Sequence, residues 1–404
     1  MEAQLEHLIH AVQKTVEPRR RAVVSLLEGQ SAAEAVEPLT SVHDEILSLP
    51  QDDSGRVVVN LYGEVTTGVD VGYELGELKK DLAYLEGGQG ALFGAMAQET
   101  GGGFDREVES VAEFLRSSDT RVFVTDRDGT INNYCARYST SVQSIYNAVF
   151  VTRFAGTLDP HRSVVLTSAP LLAGGLADVA TAPTGAFILA GSKGREYQDH
   201  NGSVIRYEID GKQQEKLDAL NLRLEQLLRR PEYRQFAYIG SGLQFKYGQS
   251  TVARQDYQGS IPPERSEALL AKVFSILQDI DPGDRFFRVE DTGKDIEISL
   301  TLPRASGTRR LSEFDKGQGL RFLDESLQLD ITSGGVLICG DTHSDVPMVR
   351  YVAERTRDFK TIFVSAGDEL QERVRQVAPE TLFVSSPDVL VCAMEKSVES
   401  AQNS

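Results

Sequence analysis

The stretch Asp126-Arg127-Asp128-Gly129-Thr130 follows the apolar run Val122-Phe123-Val124 and sets two carboxylates two residues apart. A short apolar run ending in Asp and Gly reads as a buried strand closed by a tight turn. Such a turn aims both carboxylates into one cleft, where different surroundings can give them different chemical roles. The competing reading is a solvated strand-end turn in which Asx hydrogen bonds satisfy the aspartates. Three further clusters bear on the choice. Thr167-Ser168 follows Val164-Val165-Leu166; Asp315-Lys316-Gly317 opens a helical pattern carrying Leu320 and Leu323; Gly340-Asp341-Thr342-His343-Ser344-Asp345 follows Val336-Leu337-Ile338-Cys339. Together they offer carboxylates, a hydroxyl pair and an ammonium, a set suited to a hard divalent cation and an oxyanion.

These residues need a scaffold that gathers strand ends. From about residue 120 the apolar runs 122–124, 164–166, 336–339 and 362–364 alternate with helical segments, predicting a Rossmann-like α/β core whose parallel sheet is covered on both faces. Ligands of such sheets sit beyond the carboxyl ends of the strands, and that is where the acidic clusters fall. A long insertion separates the second run from the third. Leu217, Leu220, Leu224, Leu227 and Leu228 mark one helical face in it, followed by expected strands near 236–239 and 243–247. A second face, Leu269, Leu270, Val273, Ile276, Leu277 and Ile280, precedes expected strands at 286–289 and 296–300. This repeat predicts an α/β lid. The chain thus divides into a mainly helical region at 1–115, a core at 116–198 and 305–404, and a cap at 199–304. Within the first region, Leu5, Leu8, Ile9, Val12 and Val16 predict a helix, 57–62 a strand, and 75–85 and 108–115 further helices. No catalytic constellation stands out there, so it reads as a packing, interaction or homo-oligomerisation module.

The 404 residues carry a formal net charge of -18, which argues against a nucleic-acid partner because phosphate backbones are bound by basic faces. No apolar run nears the roughly 20 residues that span a bilayer, and the first residues lack the pattern of a secretory signal. Cys135, Cys339 and Cys392 are odd in number and far apart, as expected of reduced thiols in a cytoplasmic protein.

The four clusters, in this order, resemble those of the haloacid dehalogenase superfamily of phosphotransferases, over about residues 118–390. The resemblance implies Asp126 as nucleophile and Asp128 as general acid and base. It implies Ser168, with Thr167 as the near alternative, and Lys316 as holders of the phosphoryl oxygens. Asp126, Asp128 through its carbonyl, Asp341 and Asp345 are then the residues for Mg²⁺ or its waters. The chemistry is coherent, since a carboxylate facing a phosphate dianion needs a bridging cation and a nearby ammonium. His343 has no part in it. The α/β lid looks like the cap of trehalose-6-phosphate phosphatases, sucrose-phosphate phosphatases and phosphomannomutases. Ala190-Gly191-Ser192-Lys193-Gly194-Arg195-Glu196 resembles the Gly-x-His-Gly-x-Glu segment of the first of these, and Asp295-Ile296-Glu297-Ile298 their cap-exit segment. Lys193, Arg195, Glu196 and Glu297 are therefore expected to bind a small phosphorylated sugar. Lys193 stands where that family has His, Ala169-Pro170 replaces its Gly-Arg, no Arg-Pro follows Glu297, and 303–313 looks inserted. Trehalose 6-phosphate is the leading substrate; glucosylglycerol phosphate, sucrose phosphate, a hexose phosphomutase and an interaction protein with an auxiliary core stay open.

Overall fold

The computed structural model describes all residues except 1, 2, 54, 63, 64, 101, 118, 136, 257, 258, 303–313, 403 and 404. The stretch singled out as an insertion, 303–313, thus lies outside the described residues.

The first region contains α1 (Ala3–Gln13), α2 (Val16–Leu27), α3 (Val36–Leu47), an antiparallel hairpin of β1 (Val57–Tyr62) and β2 (Val65–Val69), then α4 (Gly72–Thr100) and α5 (Phe104–Arg116). Three- and four-residue spacing puts Leu5, Leu8 and Val12 of α1, and Leu39, Val42 and Ile46 of α3, on buried faces. The fourth helix runs well past the expected 75–85 and kinks at Gly88, whose φ of +69° an L side chain resists.

The core begins with β3 (Val122–Thr125), α6 (Ile145–Gly156), β4 (Ser163–Leu166), a single turn α7 (Leu176–Val179), β5 (Ile188–Gly191), β6 (Glu196–Gln198) and β7 (Val204–Arg206). The insertion follows as α8 (Gly211–Leu228), β8 (Leu243–Lys246), β9 (Gln249–Ala253), α9 (Pro263–Ile280), β10 (Phe287–Asp291) and β11 (Asp295–Leu300). The chain returns through α10 (Lys316–Leu327), β12 (Val336–Gly340), α11 (Val346–Ala353), β13 (Phe359–Val364), α12 (Asp368–Arg375), β14 (Leu382–Val384) and α13 (Pro387–Gln402). The main sheet has the order β14-β13-β12-β3-β4-β5-β6-β7, parallel from β14 to β5 and antiparallel beyond. It continues past residue 198, because β7 pairs with β6. Every residue of β3, β4 and β12 is buried, as expected where helices cover both faces. The strand order reverses on either side of β3, so the crevice beyond β3 and β12 is a topological switch point.

The apolar stripes of the N-terminal helices are spent inside this chain: Leu8, Leu39, Leu92 and Val108 share one core cluster with Tyr146 and Phe150 of α6 and with Val391 and Met394 of α13. No described helix is long and apolar enough to cross a membrane.

In the cap, β10-β11-β9-β8 form an antiparallel sheet whose one face packs on α8 and α9 through Leu220, Leu224, Val252, Leu269, Ile296 and Ile298. Period-two alternation leaves Gln244, Lys246, Gln249, Thr251 and Glu297 on the opposite, polar face. One expectation is corrected. Residues 236–239 are not a strand: 236 and 237 close a 3-10 turn at Arg234–Ala237, and 238 and 239 continue as an irregular turn. Phe236 and Ile239, both buried, are three residues apart, a helical rather than an alternating spacing, and Gly240 and Gly242 with positive φ end the turn.

Candidate active site

The carboxyl ends of β3, β4 and β12 and the start of α10 converge beneath the cap. Asp126 leaves β3 with its N–H donated to the Cys339 carbonyl at 3.0 Å, which ties it to β12. Asp315 caps α10 by accepting from Gln318 N–H at 2.9 Å, and the next residue, Lys316, points inward with 1% of its surface exposed. The Lys316 ammonium lies 2.9 Å from Asp126 Oδ1 and 2.6 Å from Asp345 Oδ1. The second oxygen of Asp345 accepts from the backbone N–H groups of Asp341 and Thr342, at 3.1 and 2.9 Å, and from the Thr342 hydroxyl at 3.0 Å. Asp345 is thus fully engaged and sets the loop that carries Asp341.

Gly129 has φ of +89°, and a Cβ there would stand 2.1 Å from Asp341 Oδ2. Only glycine lets the strand-end turn pass this close to the second acidic loop. The Thr130 hydroxyl donates to Asp341 Oδ1 at 3.0 Å. Arg127 turns away into the protein, donating to Ser141 Oγ at 2.9 Å and contacting Asp128. Thr167 spends its hydroxyl as acceptor for Ala169 N–H at 3.2 Å, whereas the neighbouring Ser168 hydroxyl has no protein partner among the described residues.

Burial, then the negative charge of Asp345 and Asp128, pushes Asp126 up to about 7 although Lys316 opposes the shift. Burial with Asp126 and Asp345 nearby pushes Asp341 up to about 9. Burial works against the charge of Lys316, yet the two carboxylates more than offset it and hold the ammonium above its ordinary pKa. One oxygen each from Asp126, Asp341 and Asp345 lies within 4.8 Å of the others, against a single ammonium. This excess of hard, anionic oxygen donors suits Mg²⁺, which takes oxygen ligands and relieves their mutual repulsion.

A cavity of about 370 Å³ opens above these groups, lined from the core by Asp126, Asp128, Thr167, Ser168 and Lys316 and from the cap by Gln244, Lys246, Asp295 and Glu297. Glu297 bonds to Lys193 Nζ at 3.2 Å and to Gln249 Nε2 at 2.9 Å, so Lys193 reaches from the core to the cap wall. Burial opposes the Glu297 charge, but Lys193 and Lys246 hold its carboxyl below the ordinary value. The structure does not bring Arg195 and Glu196 to the cavity. Arg195 donates to the carbonyls of Gly248 and Leu300, stapling the ends of cap strands to the core, and Glu196 accepts from Leu171 N–H, Ser192 Oγ and Arg206. Their charges are consumed in fixing the turn that presents Lys193, whose φ of +60° is unusual for a side-chain-bearing residue.

Sequence reasoning missed Lys246. It is buried and faces the cavity, its ammonium makes no hydrogen bond with any described residue, and burial lowers its pKa. The signal was present, since 243–247 was read as a strand, but its two faces could not be told apart without the cap register. Tyr134 and Tyr138, which also line the cavity, lie in a connection whose one ordered piece among the described residues is a short 3-10 turn, Tyr138–Thr140, and which carries no periodic pattern.

The family model described as "Trehalose-6-phosphate phosphatase, C-terminal" matches residues 123–390. The chain belongs to this family. A trehalose-phosphatase of Brugia malayi is 31% identical over an alignment covering 97% of this chain and 84% of its own length. A Caenorhabditis elegans protein named alpha,alpha-trehalose-phosphate synthase (UDP-forming) 2 is 35% identical over 73% of this chain. The chain spans only 24% of that relative's length. Among solved structures, a trehalose-6-phosphate phosphatase related protein aligns with 70% of this chain and all of its own at 13% identity and a TM-score of 0.48. Trehalose-6-phosphate phosphatases act on a phosphate monoester, chemistry for which a buried carboxylate, ammonium and hydroxyl under a polar cap are suitably arranged.

Proposed function

We propose that this protein hydrolyses trehalose 6-phosphate to trehalose and phosphate, with Mg²⁺ as cofactor and an aspartyl-phosphate formed on Asp126. The observation that carries the reading is the Lys316 ammonium set between Asp126 and Asp345 directly beneath the capped cavity. Asp126, the backbone carbonyl of Asp128 and Asp341 would hold Mg²⁺, with Asp345 orienting that loop, and the bound cation would shield the phosphate dianion from the carboxylates.

Lys316 and the free Ser168 hydroxyl hold phosphoryl oxygens, and an Asp126 oxygen attacks phosphorus. The P–O bond to the sugar breaks as Asp128 gives its proton to the departing oxygen. Water then attacks the aspartyl-phosphate, and its proton passes to Asp128 as the Asp126–phosphorus bond breaks. Arg127 and Ser141 keep Asp128 aimed at the cleft. On the cap wall, Lys246, Gln244 and Glu297 recognise sugar hydroxyls, and a compound without them leaves buried charge unpaired. The cavity volume of about 370 Å³ falls within the roughly 300–1,000 Å³ of small-molecule sites. A second reading, another glycosyl phosphate such as glucosylglycerol phosphate, is favoured by Lys193, whose ammonium already neutralises Glu297.

The test is phosphate release from trehalose 6-phosphate, glucosylglycerol phosphate and sucrose 6-phosphate, with Mg²⁺ and with a chelator. Release should be metal-dependent, fastest with trehalose 6-phosphate and lost in Asp126→Asn. Full turnover in that variant overturns the mechanism, and preference for another sugar overturns the substrate.

A further inference from the structure

One stripe of α4 faces the loop that joins the first acidic motif to α6. Tyr73 and Glu74 in the first turn, then Glu77 and Asp81 at three- and four-residue spacing, line that helix face. Each contacts this loop or the start of the next helix. Glu74 accepts from the Thr140 hydroxyl at 2.5 Å, Glu77 from Asn133 Nδ2 at 3.0 Å, and Asp81 from Ile145 N–H at 2.6 Å.

Tyr73 begins a longer connection. Its hydroxyl sits 3.1 Å from Asn132 Oδ1 and 2.8 Å from the Val142 carbonyl, two acceptors that share its one proton. Asn132 Nδ2 then donates to Ser141 Oγ at 3.3 Å, and Ser141 Oγ donates to Asp128 Oδ1 at 3.2 Å. Arg127 Nη1 is the second donor to Ser141 Oγ, so the hydroxyl uses both lone pairs and its proton. From Tyr73 through Asn132 and Ser141 the donations run toward Asp128, the arrangement in which successive hydrogen bonds strengthen one another, while side branches lead from Tyr73 to the Val142 carbonyl and from Asn132 Nδ2 to the Asn133 carbonyl at 3.0 Å. Asn132 and Ser141 are each 1% exposed, leaving water little room to substitute for either.

We propose that the first half of α4, before the kink at Gly88, belongs to the catalytic apparatus, with Tyr73 a positioning residue that acts on Asp128 through Asn132 and Ser141. The Tyr73 hydroxyl selects the orientation of the Asn132 amide, which turns its N–H toward Ser141 and leaves the Ser141 proton for Asp128. The region before residue 116 thereby serves the acid/base step as well as core packing. This inference rests on the phosphatase reading above, in which Asp128 transfers the proton.

The test is a double-mutant cycle in steady-state kinetics on trehalose 6-phosphate, using Tyr73→Phe, Ser141→Ala and the double variant. Tyr73→Phe should lower kcat about tenfold, part of the roughly 10²- to 10⁴-fold that general acid–base catalysis supplies, with KM within about twofold. The double variant should fall no more than about twofold below Ser141→Ala, since both changes cut one route. As a comparison, Leu92→Ala loosens the same helix at its buried second half, and should lower the melting temperature while leaving kcat within about twofold. A Tyr73→Phe kcat equal to wild type, multiplicative losses in the double variant, or an equal kcat loss in Leu92→Ala each overturns the proposal. Wild-type phosphate release abolished by Asp126→Asn establishes the underlying reading beforehand; its absence overturns both, whereas the variant outcomes concern Tyr73 alone.

Discussion

Replacing Lys316 with Met tests whether one ammonium holds the acidic site together. Met keeps an unbranched stem of similar reach, so packing changes little, but Asp126 and Asp345 lose a partner at 2.9 and 2.6 Å in a place that is 1% exposed. Breaking a buried ion pair from one side costs about 3–5 kcal/mol, because the remaining charge stays desolvated. An unfolding entropy of about 2.1 cal/mol/K per residue over 404 residues is about 0.85 kcal/mol/K, so the loss corresponds to about 4–6 °C in melting temperature. Calorimetry of metal-free protein reads it directly. Adding Asp345→Asn to Lys316→Met should recover about 1–2 kcal/mol, since one uncompensated carboxylate is removed while its carbonyl oxygen still accepts from the Asp341 and Thr342 N–H groups. Phosphate release by the single variant should fall about 10²- to 10³-fold, as for loss of a group that stabilises oxyanion charge. A Lys316→Met protein within 1 kcal/mol of wild type, or a double variant less stable than the single one, would falsify this account of the site.

Two further outcomes are expected. Gly129→Ala forces a residue with φ of +89° to carry a Cβ 2.1 Å from Asp341 Oδ2, so it should cost about 1–2 kcal/mol and lower phosphate release at least tenfold; wild-type activity in that variant contradicts the close approach. Glu297 is held below its ordinary carboxyl value of 4.5 in the folded protein, so its pairing with Lys193 contributes stability above that pH and loses it as pH falls through the depressed value. The melting-temperature lead of wild type over Glu297→Gln should therefore be present at pH 7 and vanish well below pH 4.5, and a lead that grows on acidification would reverse the assigned direction.

Much of the core was legible because its strands are buried on both faces and so read as unbroken apolar runs: 122–124, 164–166, 336–339 and 362–364 all lie within observed strands. The short strands β6 and β7 have no such run, and pairing with neighbours supplies what their sequences lack, whereas β5 and β14 do carry apolar runs, 186–190 and 382–384, that the sequence reading passed over. In the cap, helices α8 and α9 were visible from leucine spacing, whereas 236–239 was misread because two buried residues three apart mimic an apolar strand when flanked by loops. Among the expected sugar-binding residues, Glu297 lies on the cavity wall and Lys193 beside it, while Arg195 and Glu196 are bound into the turn behind. A charged side chain in a motif-like segment announces its presence but not which partner will claim it.

The sequence by itself determined the chemistry available at the site: aspartates at strand ends, a lysine at a helix start and a hydroxyl pair, because local turns and caps place such residues wherever the chain is cut and read. Tertiary structure alone decided which of them meet. The Lys316 contact with Asp126 spans 190 residues of chain, Gly129 earns its place only against Asp341, and Lys246 becomes a cavity residue only when the cap sheet turns its polar face to the core. The same holds for Tyr73, an ordinary helical tyrosine until α4 packs beside the loop that carries Ser141. Contacts of this length depend on the shape of the whole packed chain, and no local spacing encodes them.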